Sequence, residues 1–239
     1  MIRLLQFVVC SLVIILFVQV RGVVCKPLNV LFIAVDDLRP DLGCYGVSYA
    51  PSPNIDRLAS RGMVFRNHFV QVPTCGASRY AMLTGRSPAV TGFTRGNSGF
   101  YSGSSALSAE ILPGAQSIPE LFKRSGYSTI LIGKISHTAD GRVYSYNGAG
   151  DGRDEVPNAW TEMSTPYGSW KRGWGVFFAY ANGIHREDGN GAKDLVDFTV
   201  ENDNELPDGQ MAQHAVSRLR HLANQDKPFF MGLGFFKPH

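Results

Sequence analysis

Leu28-Asn29-Val30-Leu31-Phe32-Ile33-Ala34-Val35-Asp36-Asp37 carries an unbroken apolar run of strand length that ends abruptly in two carboxylates. A run without polar alternation predicts a central strand of a parallel sheet, covered on both faces. In open α/β sheets ligands gather at the carboxyl ends of strands, so adjacent aspartates there point to a hard metal ion. A solvated turn or a helix cap is the other reading of an Asp-Asp pair, and the placement at a strand end favours the metal.

Two further runs repeat the pattern. Tyr127 to Ile132 leads into Gly133-Lys134-Ile135-Ser136-His137, and Phe229 to Phe235 leads into Lys237-Pro238-His239. A Lys-x-x-His pair at a strand end can place a fixed positive charge and a proton carrier in one pocket. Helices are predicted between the strands. Ser52 to Gly62 has a cap, Pro at the first position and a terminal Gly; Ser117-Ile118-Pro119-Glu120 reads as a capping box stopped by Gly126. After Leu206-Pro207-Asp208, apolar residues at 211, 212, 215, 216, 219 and 222 make one helical face. Strands alternating with helices give an α/β fold with a mostly parallel sheet flanked by helices. Met63 to Val70 and Trp174 to Ala181 also have strand character. Residues 94 to 116 read as a Gly- and Ser-rich loop over the site's edge.

In Val72-Pro73-Thr74-Cys75-Gly76-Ala77-Ser78-Arg79-Tyr80-Ala81-Met82-Leu83-Thr84-Gly85-Arg86, Pro73 and Gly76 read as a tight turn and Ser78 to Thr84 has helical spacing closed by Gly85, which puts Cys75 at or just before a helix N-terminus. A helix N-terminus attracts anions, and Arg79, one turn along, adds a planar fork of donors suited to a tetrahedral oxyanion. From these residues alone, Cys75 is a thiolate nucleophile, a redox residue or an inert buried thiol.

The 239 residues, 44% of them hydrophobic, are enough for one good core. Met1-Ile2-Arg3 followed by the apolar stretch Leu4 to Val20 reads as a secretory signal over residues 1–25, with an uncleaved anchor as the alternative. Arg3 and Arg21 fall in that leader, and without them the 23 basic and 20 acidic side chains nearly balance, which excludes a basic field for nucleic acid. No stable membrane association is expected once the signal is removed. Cys25, Cys44 and Cys75 are too few and too scattered for a disulfide framework.

Cys75-Gly76-Ala77-Ser78-Arg79 with Leu83-Thr84-Gly85-Arg86 resembles the sulfatase signature, departing from its commoner eukaryotic form at Ala77, where proline is usual. The resemblance extends through Asp36 to Gly46, Ser52 to Asp56, Gly133 to His137, Leu206 to Asp208 and Phe229 to His239, and is nearest to the iduronate-2-sulfatase branch of that family. It implies an alkaline-phosphatase-like fold, one calcium ion per subunit and conversion of Cys75 to formylglycine by the formylglycine-generating enzyme. Asp36, Asp37 and the modified Cys75 would be metal ligands. Arg79 and Lys134 would neutralise the formylglycine oxygen and the sulfate. His137 would take a proton from the hydrated aldehyde, and His239 would donate one to the leaving alcohol.

The implied substrate is a sulfated sugar, such as a glycosaminoglycan. The implied location is the secretory pathway, leading to the lysosome or the extracellular space, or the periplasm in a bacterium. Residues 26–239 would be the N-terminal catalytic domain, truncated before the later strands and the C-terminal subdomain. Family members carry a further Asp followed by Asn or His on a later strand, and another Lys, beyond these positions, so the chain alone is expected to be weakly active or inactive. Within it, residues 138–207 would be an irregular insertion on the substrate side. There Trp160, Tyr167, Trp170 and Trp174 are either stacking platforms for a sugar or a satellite core cluster. Two other functions compete: a phosphate or phosphonate ester hydrolase of the same superfamily, and a non-catalytic fragment that binds sulfated glycans.

Overall fold

A computed structural model describes residues 26–94, 116–143, 152–170, 173–184, 186 and 199–239. The expected leader and nearly all of the loop expected over 94–116 lie outside the described residues. Four parallel strands, β1 (Val30–Val35), β2 (Ser128–Gly133), β3 (Glu162–Met163) and β4 (Phe229–Phe235), form one sheet in the order β1-β4-β2-β3. The described helices are α1 (Pro53–Ala59), α2 (Cys75–Thr84), α3 (Pro88–Thr91), α4 (Ile118–Arg124), α5 (Trp174–Phe177) and α6 (Pro207–Ala223).

The strand pleat sorts side chains to two cores. Ile130, Ile132, Met231 and Leu233 face one way and meet Met211, Ala215 and Leu222 of α6. Leu131 and Phe230 face the other way and meet Tyr80 and Leu83 of α2, while Phe122 of α4 stacks on Phe230 with ring centroids 4.7 Å apart. Of the apolar stripe expected on residues 211–222, Met211, Ala215, Leu219 and Leu222 pack on the core, whereas Val216 at its edge stays 46% exposed.

β1 departs from the expectation of a central strand. It pairs only with β4 among the described residues; Val30, Phe32 and Ala34 pack inward, but Leu31 and Ile33 remain 44% and 49% exposed. The central strands are β4 and β2, and α6 lies over them rather than over β1. Met63 to Val70 is not a strand: the segment turns, finds no ladder partner among the described residues, and leaves Met63, Phe65, Phe69 and Val70 exposed. Trp174 to Ala181 starts as the short helix α5, whose four residues are all buried. A short segment buried on every side carries no periodicity that separates helix from strand.

At the carboxyl edge two glycines permit a close approach. Gly133 is paired with Gly234, and Lys134 N donates to Gly234 O at 2.9 Å. A Cβ on Gly234 would lie 1.9 Å from Lys134 O, and Gly133 has φ +75°. Only glycine allows β2 and β4 to deliver Lys134 in this position.

Candidate active site

The last rung of the sheet, Asp36 N to Phe235 O at 3.1 Å, carries β1 one residue past its end, and Asp37 then takes a left-handed turn with φ 55°. Aspartate tolerates that conformation better than most residues, at a cost of order 1 kcal/mol. The turn separates the two carboxylates: Asp36 is 3% exposed, whereas Asp37 is open. Cys75 begins α2 as expected and sets its Sγ 4.0 Å from Asp36 Oδ2 and 4.0 Å from Asp37 Oδ1.

Behind these groups lies a buried ion cluster. Lys134 Nζ is 2.6 Å from Asp36 Oδ2, and Arg79 Nη2 is 2.9 Å from Asp36 Oδ1. Arg79 Nη1 also donates to Lys134 O at 2.6 Å and Ile135 O at 3.1 Å. The guanidinium thus ties α2 directly to the turn after β2 and, through its other nitrogen, to Asp36 at the end of β1. Burial raises the Asp36 carboxyl, but the charges and hydrogen bonds of Lys134 and Arg79 outweigh it and hold the group below its usual range. Burial pushes Lys134 down, against the pull of Asp36.

Cys75, Lys134, His137, Asp37 and His239 line a cavity of about 500 Å³ that Trp174 and Phe177 close on one side. Arg79 is not among the described lining residues; it stands behind Asp36. His137 packs edge-on against Trp174 at 5.2 Å, and Lys134 Nζ lies 4.1 Å over the Phe177 ring. His239 contacts Asp37 through Nδ1 and lies 3.5 Å from Asp36 Oδ2. Asp36, Asp37, Cys75 and His239 each place one ligand atom within 4.8 Å of the others.

Of the expected stacking aromatics, Trp160 and Trp170 are buried in the two cores, and Trp174 both packs in one core and lines the cavity. Tyr167 packs against that first core and donates its hydroxyl to Asp140 Oδ2. They serve mainly as core. One residue that positions the site escaped the sequence reading. The Asp208 carboxylate, at the start of α6, accepts from Phe236 N and Lys237 N at 2.9 Å each and so fixes the segment that carries His239. An aspartate in a helix's first turn reads as a cap, and nothing local says that it serves another strand.

Burial raises the Cys75 thiol, and the two aspartates add to this against Lys134 and Arg79. An unmodified Cys75 is thus kept as thiol, which disfavours the thiolate nucleophile among the three readings of this residue. His137 is pushed down to about 3, first by burial and then by the charges of Lys134 and Arg79. Its unfolded value near 6.5 is higher, so the unfolded chain binds the extra proton first as pH falls. The stability that His137 contributes is full above 6.5 and is lost as pH drops toward 3. His137→Gln is therefore expected to flatten the fall in melting temperature between pH 6.5 and 4, as measured by circular dichroism. An unchanged slope would contradict this placement.

Comparison with known proteins bears on the family and the fold. Residues 28–239 match the family model described as Sulfatase. The chain is 34% identical over 215 residues to iduronate 2-sulfatase of Mus musculus and equally to that of Homo sapiens, covering 89% of this chain and 35% of each relative. It is 32% identical to a sulfatase of Formosa agariphila, covering 92% of this chain and 41% of the relative. The chain spans about a third of the length of the curated relatives it matches. Among solved structures, a 2-O GAG sulfatase aligns with TM-score 0.55 at 24% identity, over 90% of this chain and 36% of that one. The phosphonate monoester hydrolase of Agrobacterium radiobacter aligns with TM-score 0.60 at 21% identity, over 89% and 41%. At these identities the structural matches speak to the fold, a parallel sheet flanked by helices.

Proposed function

The chain belongs to the sulfatase family, and from that premise we propose that it carries the nucleophile end of a hydrolase for sulfate esters on a sulfated sugar, of the 2-sulfated uronate type found in glycosaminoglycans. The observation that supports this is the meeting of Asp37, Cys75, Lys134, His137 and His239 around one cavity at the carboxyl edge of the sheet. Similarity to iduronate 2-sulfatases over most of the chain favours the sugar class.

Cys75 would be oxidised to formylglycine by the formylglycine-generating enzyme as the protein passes through the secretory pathway, toward the lysosome or the outside. A hydrated aldehyde at position 75 supplies one hydroxyl to attack sulfur and a second whose loss of a proton expels sulfate. Lys134, held against Asp36, keeps positive charge at the cavity floor where the sulfuryl oxygens gather negative charge. His137 is neutral at rest, because burial and the neighbouring cations oppose its charging. An incoming sulfate offsets those cations, so the imidazole becomes a better proton acceptor when substrate is present. His239, at the mouth, would donate to the leaving alcohol oxygen. Arg79 organises Asp36 and the turn bearing Lys134 rather than touching substrate.

The donor set fits a divalent cation on one chemical condition. Two carboxylates and an oxygen at position 75 are hard ligands suited to calcium, whereas a thiol there makes the set mixed. Asp36, Asp37 and modified Cys75 would hold one Ca²⁺ per subunit, with His239 within reach of the same group. Bound there, the ion would add Lewis-acid stabilisation of the sulfuryl oxygens.

The test is sulfate release from a 2-sulfated uronate disaccharide by the secreted chain with Ca²⁺, compared with phosphate and phosphonate monoesters of matched alcohols. Preference for the sulfate ester is expected. Faster turnover of the phosphonate would move the assignment to that hydrolase class. Glycan binding without release, unchanged by loss of Cys75, would mark a non-catalytic binder.

A further inference from the structure

His137 and Lys134 reach the cavity from a single turn, and one buried acid outside the cavity holds that turn. Glu155 is 1% exposed. Its Oε2 accepts four hydrogen bonds: from Ser136 Oγ at 2.6 Å, His137 N at 3.0 Å, Thr138 N at 2.8 Å and Thr138 Oγ1 at 2.8 Å. Glu155 is itself fastened, since its N donates to Gly141 O at 2.8 Å and Arg142 bridges Asp154. We propose that Glu155 is the positioning residue of this site: it clamps the Ser136–Thr138 turn and thereby sets the direction in which the His137 imidazole enters the cavity.

Apolar packing can bury a turn but does not choose its backbone angles. Four donors from three consecutive residues converging on one oxygen do, because each added bond removes a rotation that the others leave open. Without the acceptor, two buried amides and two buried hydroxyls lose their partner, at about 1–3 kcal/mol for each group left unsatisfied. The turn would then rearrange to find water or other acceptors, and the Cα–Cβ direction of His137 would move with it. Glu155 touches the His137 backbone in these bonds, which makes it a positioning group and not a proton partner. Burial pushes its carboxyl up to about 7. Glutamine, uncharged and with a carbonyl oxygen in the same place, is therefore a fair stand-in.

The effect on catalysis rests on the sulfatase reading of the cavity; the effect on the turn does not. Two measurements on the secreted full chain separate them: amide hydrogen exchange at His137 and Thr138, and kcat and KM for sulfate release. In Glu155→Ala, exchange at these amides is expected to rise about 100-fold while β4 amides stay protected. With the imidazole misdirected by about 1 Å, kcat should fall about 100-fold with KM nearly unchanged. Glu155→Gln should restore both to within about fivefold of wild type. If Glu155→Ala does not fold, the Ser136→Ala/Thr138→Val double variant removes two of the four donors while leaving the acid in place. Faster exchange at His137 is expected there too.

Unchanged exchange at His137 and Thr138 in the folded variants would overturn the proposal. So would equal losses of kcat in Glu155→Ala and Glu155→Gln. If the wild-type chain is as weakly active as its missing family residues imply and releases no measurable sulfate, exchange decides the clamp by itself.

Discussion

Cys75→Ser is expected to turn a repeating hydrolase into one that reacts once. Serine keeps a hydroxyl at the N-terminus of α2, beside Asp36 and Asp37 and facing the same cavity. Attack on sulfur can therefore still transfer the sulfuryl group, breaking the S–O bond to the sugar and releasing the alcohol. The product is a sulfate ester of serine, and its only exit is a second attack at sulfur, by water. The hydrated aldehyde differs because its second hydroxyl can lose a proton, re-form the carbonyl and expel sulfate by C–O cleavage. Steady release should fall by about a thousandfold or more in the serine variant, a loss typical of a disabled nucleophile. Up to one equivalent of sulfate should remain attached to the peptide that contains residue 75. Cys75→Ala should attach none. Continued turnover by Cys75→Ser near the wild-type rate would show that the aldehyde hydrate is not needed.

Lys134→Met is expected to damage both activity and stability, through the same interaction. The ammonium is 1% exposed and sits 2.6 Å from Asp36 Oδ2. Removing one partner of a buried pair leaves the other charge uncompensated, at a cost of about 3–5 kcal/mol. Arg79, still 2.9 Å from the other carboxylate oxygen, keeps the loss toward the lower end. Methionine preserves packing over Phe177, so the loss reports charge rather than volume. Turnover should fall about 10²–10³-fold, as for removal of one charge-stabilising donor. His137 should titrate closer to its normal value, because the Lys134 charge is the largest cause of its depression after burial. Denaturant midpoints, kcat and an NMR titration of His137 check the three effects. A Lys134→Met variant with wild-type stability and turnover would contradict the buried ion cluster as the organiser of the site.

The parts of this molecule legible in the sequence are those that depend on short-range pattern. β2, β4 and α6 announce themselves through apolar runs and a one-face period, and α2 begins and stops where the turn residues around Cys75 and Gly85 place it. The carboxyl-edge groups were legible because each follows directly on a strand. The position of β1 was not, since an apolar run says that a strand can be covered without saying by what. The same gap explains Arg79. Its spacing from Cys75 predicts a shared face, but its partners, Asp36 and two carbonyls beyond β2, come from distant parts of the chain. Glu155 and Asp208 are harder still, because each acts on backbone amides of another segment and leaves no local signature. Trp160 and Trp170 settle an alternative that the sequence leaves open: they are core rather than sugar platform, since burying them in the two cores is the larger hydrophobic gain.

Mass spectrometry of the peptide spanning Val72 to Arg86 tests the sulfatase reading most directly. The chain would be secreted from cells that contain the formylglycine-generating enzyme, beside a sulfatase known to be converted. Formylglycine at position 75, seen as loss of the thiol sulfur and gain of an aldehyde that reacts with hydrazide, is the predicted result despite Ala77. An intact cysteine in the same cells, with the control sulfatase converted, would contradict it and leave the cavity without its nucleophile.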